Sequence, residues 1–259
     1  MTSIARAVAA ALRACAPADK IRLTRAAARD WRLGRLEHGF DTAMPDRPGR
    51  PDLPELLPPG RMPKRGKGGT QKGRIALLHA LAHIEFVAMD LALDLPGRFG
   101  RQFPRAFMDD WVKVAAEEAM HFALLDRRLR ALGSFYGALP AHDGLWEAAS
   151  ATAGDARARL AVVPMVLEAR GLDVTPVTIA RFQQAGDTAS ARILSRIMND
   201  EIAHVSAGTK WFRWSCAQTE SEPVATWKML VNRHFGGAIK PPFNDSARSA
   251  AGLTQDYYR

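Results

Sequence analysis

Apolar residues recur with helical spacing along most of the chain, and the alternation typical of β-strands is scarce. Ala, Leu, Arg and Glu, which favour helices, dominate the periodic segments. The pattern predicts an all-α protein. Its predicted helices cover residues 3–15, 19–33, 73–95, 104–132, 145–152, 155–169, 175–184, 188–216 and 222–234. Proline and glycine set several ends, with stops expected at Pro96, Gly133 and Gly171 and a kink at Pro164.

A proline-rich segment interrupts the helical pattern early in the chain. Seven of the sixteen prolines lie between Pro45 and Pro63, which excludes a helix and predicts an extended, polyproline-like arm. A short basic, glycine-rich stretch follows and is interpreted as a hinge. The sequence therefore predicts three parts. They are an N-terminal helical and proline-rich arm (1–70), a helical bundle (71–216), and a C-terminal helix and tail packed on that bundle (217–259).

Composition narrows the class of protein. With 259 residues, 47% hydrophobic and 24% charged, the chain is long and apolar enough for a sizeable core, which excludes a disordered or collagen-like chain. The two cysteines, Cys15 and Cys216, have no CxxC partner, which argues against a thiolate metal site and indicates a reducing compartment. A single Cys15–Cys216 disulfide is the alternative. The N-terminal apolar stretch ends at Arg13, too early for a signal peptide, and no uninterrupted apolar run predicts a membrane span. We therefore expect a cytoplasmic protein.

The positive charge is confined to one end of the chain. The formal net charge is +9, yet residues 75–259 contain 20 basic and 20 acidic residues, against 16 and 7 in residues 1–74. An anionic partner such as nucleic acid would therefore bind the arm, for instance through Lys64 to Lys67. The alternative is that this short basic run is simply solvated.

Two Glu-x-x-His motifs lie in the two longest helices, one formed by Glu118 and His121 and the other by Glu201 and His204. A spacing of three residues places both side chains on one helix face, where the carboxylate and the imidazole can reach one metal ion. One such motif alone would be a weak signal.

Each motif is preceded by a glutamate in an apolar run of the previous helix. Glu85 lies 33 residues before the first motif glutamate, and Glu168 lies 33 residues before the second. The same three-residue unit thus occurs twice, and its spacing fits two antiparallel helical arms with the glutamates at one depth. Buried carboxylates are costly unless they are paired or bound to metal. The alternative to a metal site is a set of structural Glu–His salt bridges.

One Glu from each of two helices with Glu-x-x-His from each of two others is the pattern of di-iron and di-manganese carboxylate bundles. Oxygen and imidazole donors suit Fe or Mn. The chain resembles the ferritin-like superfamily, and more closely a bacterial ferritin-like family, domain of unknown function 455. Beyond the ligand helices, the segments that carry this resemblance are 47–65, 83–90, 103–121 and 241–252. A more distant similarity is to ferritin-like tRNA hydroxylases.

The resemblance implies a four-helix bundle that holds two Fe ions, and Mn or a mixed Mn/Fe pair is the alternative. It implies terminal ligands Glu85 and Glu168, bridging ligands Glu118 and Glu201, and one histidine for each metal, His121 and His204. No catalytic residue beyond these ligands is predicted. Glu117 and Asp200 lie four residues before the two histidines and are candidates for orienting the imidazoles, with solvated helix charges as the alternative.

These features favour an O₂-dependent oxidoreductase, a hydroxylase or an oxidase, with an unidentified organic substrate and an electron donor. One alternative is an iron-handling protein that oxidises or stores iron without an organic substrate. A second is a tRNA-modifying di-iron hydroxylase whose basic arm binds the RNA. The oligomeric state does not follow from the sequence.

Overall fold

The structure is a computed structural model that describes residues 1–63 and 69–259, and it is predominantly helical, as the sequence predicts. The basic run Lys64 to Lys67 lies outside the described residues. The chain divides into two compact units, Met1–Gly144 and Leu145–Arg259. This division lies at neither boundary of the three-part organisation expected from the sequence, which stays a prediction.

Four helices form most of the described part of the first unit. They are α1 (Ile4–Arg13), α2 (Pro17–Arg32), α3 (Gln71–Phe99) and α4 (Arg105–Ala131). Short 3₁₀ turns lie at Pro59–Arg61 and Gly100–Gln102, and β1 (Thr2–Ser3) pairs in parallel with β2 (Leu36–Glu37). The long helices α3 and α4 form an antiparallel hairpin, against which α1 and α2 pack.

Helix α3 is the core helix of this unit. It begins where the Thr70 hydroxyl accepts a hydrogen bond from the Gly73 N–H at 3.1 Å, and residues 85–97 are buried on every side. By length and composition alone the segment Gln71–Gln102 could cross a membrane, but 67% of its apolar window is buried inside the protein. Among the described residues no other helix meets that criterion. A mostly buried helix of this kind is typical of a soluble protein core.

The predicted end of α3 at Pro96 is wrong, because the helix continues to Phe99. Proline removes only its own backbone donor, and tertiary contacts hold the next turn. The Arg98 guanidinium donates to the Asp94 carboxylate one turn back, at 2.8 Å, and to the Pro45 carbonyl of the arm, at 2.9 Å. The Pro45 carbonyl of the arm thus helps to hold the helical turn that follows Pro96.

The proline-rich segment forms no α-helix between Pro45 and Pro63, in agreement with the sequence, and backbone hydrogen bonds hold it to the rest of the first unit. The Gly49 N–H donates to the Leu12 carbonyl at 2.7 Å, and the Leu57 N–H donates to the Ala141 carbonyl at 2.8 Å. A Cβ on Gly49 would lie 2.4 Å from the Arg13 carbonyl oxygen, so only glycine fits there. The arm is therefore part of the compact unit.

A buried ion pair connects α2 to α3. The Lys20 ammonium donates to Asp90 at 2.5 Å and to the Leu12 carbonyl at 3.0 Å, and both charged side chains are fully buried. Arg50 of the arm pairs with the other Asp90 oxygen. Burial lowers the pKa of Lys20, and the Asp90 carboxylate opposes this shift. The Asp90 carboxylate thus links three separate stretches of the chain.

The second unit contains the remaining helices. The first of them begins at Gly144, which is the last residue of the first unit. These are α5 (Gly144–Ser150), α6 (Ala156–Val162), α7 (Ala169–Gln184), α8 (Thr188–Ala217), α9 (Pro223–His234), α10 (Asp245–Ala250) and α11 (Gln255–Tyr258). A π-helical segment, Val163–Glu168, joins α6 to α7 without a break. Helix α8 packs against α7 and the π segment, and α9 packs against α6.

The helix that carries Glu168 does not end at Gly171 as predicted, and the kink expected at Pro164 stays a prediction. At Pro164 the helix widens into the π segment, and it passes Gly171 to end at Gln184. A glycine commonly ends a helix when it adopts a positive φ. Here that residue is Gly186, whose φ is 72°. The Asp187 N–H then reaches back to the Phe182 carbonyl at 2.8 Å.

Gly208 of α8 lies against the π segment. A Cβ added there would lie 2.4 Å from the Cβ of Pro164, whereas a Cβ on Gly171 would meet nothing within 4 Å. The absence of a side chain at Gly208 therefore lets α8 approach the π segment closely.

We expect Gly208→Ala to lower the free energy of unfolding, because a clash of about 1–3 kcal/mol exceeds the gain in helix propensity. The matched variant Gly171→Ala has no clash and should raise the free energy of unfolding by up to about 1 kcal/mol. Urea denaturation of both variants measures the difference. Equal effects at the two positions would show that the close approach at Pro164 contributes nothing.

Candidate metal centre

Three predicted ligands come together in the first unit. Glu85 of α3 and Glu118 of α4 each place Oε2 at 3.3 Å from Nδ1 of His121. One ligand atom from each residue lies within 4.8 Å of the others, and all three residues are buried. This cluster can hold a metal ion.

The hairpin geometry explains the convergence. The spacing of Glu118 and His121 puts both on the face of α4 that meets α3, and the antiparallel pairing brings Glu85 to the same depth. Phe86 and Phe122, which follow Glu85 and His121 along their helices, pack their rings 5.2 Å apart. The ligands are thus held on two packed helices.

The electrostatics of the cluster favour a cation. Burial alone would lower the pKa of His121, but the hydrogen-bonded carboxylates of Glu118 and Glu85 outweigh burial and raise the pKa to about 11. In the metal-free protein the imidazole is therefore protonated at neutral pH. A divalent cation would displace that proton and bring one more positive charge to the two carboxylates.

The second unit carries the second set of predicted ligands. Oε1 of Glu201 lies 3.5 Å from Nδ1 of His204, which is fully buried. Glu168 is also buried and is the last residue of the π segment, which packs against the helix that carries the other two. In each unit, therefore, the single glutamate lies on one helix and the Glu-x-x-His motif on a helix packed against it.

The two acidic residues predicted to orient the histidines have positive neighbours on their own helices. Oδ2 of Asp200 accepts a hydrogen bond from Arg196 at 2.7 Å, and Oε1 of Glu117 lies 3.8 Å from the Lys113 ammonium. Both carboxylates are partly buried. Their orienting role stays a prediction.

Two histidines that precede Glu85 on α3 bind the loop after α4. Nδ1 of His83 lies 2.9 Å from the Tyr136 hydroxyl and Nε2 lies 3.2 Å from the His142 carbonyl, while Nε2 of His79 accepts the Gly137 N–H at 2.9 Å. Burial, helped by the nearby Arg50 cation, lowers the pKa of His83 to about 3, so this ring is neutral. Local sequence gave no signal for these contacts, because the partners are more than fifty residues away.

The donor set fits iron or manganese. The predicted ligands offer carboxylate oxygens and imidazole nitrogens, which suit these metals, and Cys15 and Cys216 are free thiols outside the ligand set. The chemistry of the donors is therefore consistent with the cofactor that the sequence predicts.

The comparison with known proteins gives a family without an assigned activity. The sequence model of "Protein of unknown function (DUF455)" matches residues 13–259. An "Uncharacterized protein" of Haemophilus influenzae (strain ATCC 51907 / DSM 11121 / KW20 / Rd) is 43% identical over 211 residues, which cover 79% of this chain and 73% of the relative. No solved structure matches the chain significantly. Because the family model matches nearly the whole sequence, the protein belongs to the DUF455 family.

Proposed function

We propose that this protein is a ferritin-like non-haem di-iron carboxylate protein, cytoplasmic, that acts as an O₂-dependent hydroxylase or oxidase. The observation that carries the proposal is the buried convergence of Glu85, Glu118 and His121. Even with a protonated imidazole, the two buried carboxylates leave the cluster with an excess negative charge, which is costly to bury without a further cation.

The repeat extends the proposal to a second metal ion. Each unit has a glutamate on one helix and a Glu-x-x-His motif on a helix packed against it. We propose that the two hairpins face each other as a four-helix bundle, so that the two sets of ligands hold two ions. The terminal ligands would be Glu85 and Glu168, the bridging ligands Glu118 and Glu201, and the histidines His121 and His204. Asp200 and Glu117 would orient the imidazoles.

The iron ions, when bound, would supply the reaction with O₂, and an Mn or Mn/Fe pair would fit the same donors. The chain would supply four carboxylates that balance the metal charge and helices that fix the ligands. Aromatic and aliphatic neighbours such as Phe86 and Phe122 would exclude water. An electron donor and an organic substrate, both unidentified, complete the proposed reaction.

The test uses the full chain purified without oxygen. Titration with Fe(II) should saturate at two ions per chain, and admission of O₂ with a reductant present should give sustained O₂ uptake. Uptake that stops once the bound iron is oxidised, whatever reductant is added, would support the iron-handling alternative. Failure to bind Fe(II) or Mn(II) would refute the proposal.

An exposed row of arginines on α2 favours a second candidate, a tRNA-modifying di-iron hydroxylase. The row consists of Arg22, Arg25, Arg29 and Arg32, spaced three, four and three residues apart, so it follows one helix face for about 15 Å. Arg22 pairs with Asp19 and Arg29 with Asp30, both at exposed positions where salt bridges are weak. We propose that an RNA backbone binds along this row.

Deleting residues 1–70 would be a poor test of RNA binding, because α1, α2 and the arm pack within the first unit. The double variant Arg25→Gln/Arg32→Gln should instead weaken tRNA binding and reduce the slope of log K against log salt by roughly 2. The matched control is Arg192→Gln/Arg233→Gln, which changes two exposed arginines of the second unit. Equal slopes for both double variants would exclude the α2 row as an RNA site.

A further inference from the structure

A cavity of about 210 Å³ lies in the second unit. One wall is formed by the end of the π segment and the start of α7, and the other by the chain after α9. Its lining includes the apolar residues Val166, Leu167 and Ile239 and the cations Arg170, Lys240 and Arg248. Neither the metal ligands nor the arginine row on α2 is part of it.

The cavity wall after α9 is fixed by hydrogen bonds and an ion pair. Nη1 of Arg170 donates to the Lys240 carbonyl at 2.7 Å and to the Pro242 carbonyl at 3.0 Å. The buried Arg248 forms a bidentate ion pair with Asp173 of α7, in which Nε donates to Oδ1 at 2.8 Å and Nη2 donates to Oδ2 at 2.7 Å. A wall held in this way gives a cavity that exists before any ligand binds.

The charges around the cavity are unbalanced. The lining includes three cations and no acidic residue. The nearby carboxylate is Asp173, which pairs with Arg248 and lies 3.5 Å from Arg170. The Lys240 side chain is exposed, and in the described ranges no carboxylate forms a salt bridge with its ammonium. The lining residues themselves are therefore positively charged, and they lie beside apolar side chains.

We infer that this cavity binds a small monocarboxylate with a short apolar body. The carboxylate would lie at Lys240 and Arg170, and the apolar body would pack on residues such as Val166 and Ile239. A cavity of about 210 Å³ is smaller than the pockets of about 300–1,000 Å³ that hold drug-sized ligands, which favours a ligand of roughly eight non-hydrogen atoms such as hexanoate. A cavity of this volume would not enclose a whole nucleotide, and a bare inorganic anion would not contact its apolar side chains. The inference concerns binding alone and does not depend on the proposed metals.

The cavity lies beside the π segment that carries the predicted ligand Glu168. Leu167 lines the cavity and directly precedes Glu168 in the π segment. A bound carboxylate would therefore pack against the segment that positions a predicted metal ligand.

The test is calorimetric titration of the metal-free full chain with hexanoate. Saturable binding is expected, and hexanol, which has the same apolar body without the charge, should bind at least tenfold more weakly. Lys240→Gln should weaken hexanoate binding about fivefold, as loss of one partly exposed ion pair would. The matched control, Lys228→Gln, changes an exposed lysine of α9 outside the cavity and should leave binding unchanged.

A second pair of variants separates charge from shape. Ile239→Glu places a carboxylate in the cavity, whereas Ile239→Gln places a neutral group of similar size there. The Glu variant should bind hexanoate at least tenfold more weakly than the Gln variant, with the far-ultraviolet circular dichroism of both unchanged. Hexanoate that does not bind the wild-type chain, or that binds both Ile239 variants equally, would overturn the inference.

Discussion

Replacing Glu118 and Glu201 together by alanine is expected to reduce iron binding from two ions per chain to almost none. In the proposed centre these two carboxylates bridge the ions, so their removal takes ligands from both metals and leaves the charge of each poorly balanced in a buried site. Metal analysis after loading with Fe(II) without oxygen, followed by gel filtration, measures the loss. Retention of both ions would refute the proposed ligand set.

The single variants distinguish one shared centre from two independent sites. If the ions share their bridging ligands, Glu118→Ala alone and Glu201→Ala alone should each lower the affinity of the chain for both ions. If each unit binds its own ion, each single variant should lose the binding of only one ion. The matched control is Glu147→Ala, which removes an exposed carboxylate from α5 and should leave metal binding unchanged.

The second large effect is expected at Asp90. Asp90→Ala should lower the free energy of unfolding by about 3–5 kcal/mol, because it leaves the Lys20 ammonium buried without its carboxylate. Arg50 loses the same partner. Guanidinium denaturation of the metal-free protein measures the change.

A surface pair and an apolar double variant serve as controls for Asp90. Asp19→Ala breaks an exposed ion pair with Arg22 and should lower the free energy of unfolding by less than about 1 kcal/mol. Lys20→Met combined with Asp90→Leu removes both buried charges and should be more stable than Asp90→Ala alone. If Asp90→Ala lowers the free energy of unfolding no more than Asp19→Ala does, the buried ion pair contributes little to stability.

The long helices could be predicted because their apolar spacing is a local property of the sequence, but their ends depend on contacts between distant residues. The predicted helix end at Pro96 was wrong because Arg98 binds both Asp94 and the Pro45 carbonyl, and Pro45 lies more than fifty residues earlier in the chain. The predicted end at Gly171 was wrong because a glycine without a positive φ is an ordinary helical residue. The stop at Gly186 requires a backbone conformation that the residue type permits but does not impose.

The candidate site shows the same limit. Within a helix, the spacing of Glu118 and His121 determines that they share a face, and the 33-residue separation places Glu85 opposite them once α3 and α4 pair. No local pattern pairs Lys20 with Asp90, which are 70 residues apart. The same is true of Arg170 and the Lys240 carbonyl, which also lie 70 residues apart and together hold the wall of the cavity.

The π segment bears on how this family tolerates insertions and deletions. A π turn accommodates one residue more than an α turn, so the extra residue is absorbed inside the segment and does not add the rotation of about 100° that one residue adds in an α-helix. Deleting one residue between 163 and 167 should therefore restore an ordinary α-helix and leave Glu168 on nearly the same side of the helix axis. Deleting one residue from α6 should instead turn Glu168 by about 100° relative to the start of that helix, so relatives that share this carboxylate should tolerate a lost residue inside the π segment but not in α6.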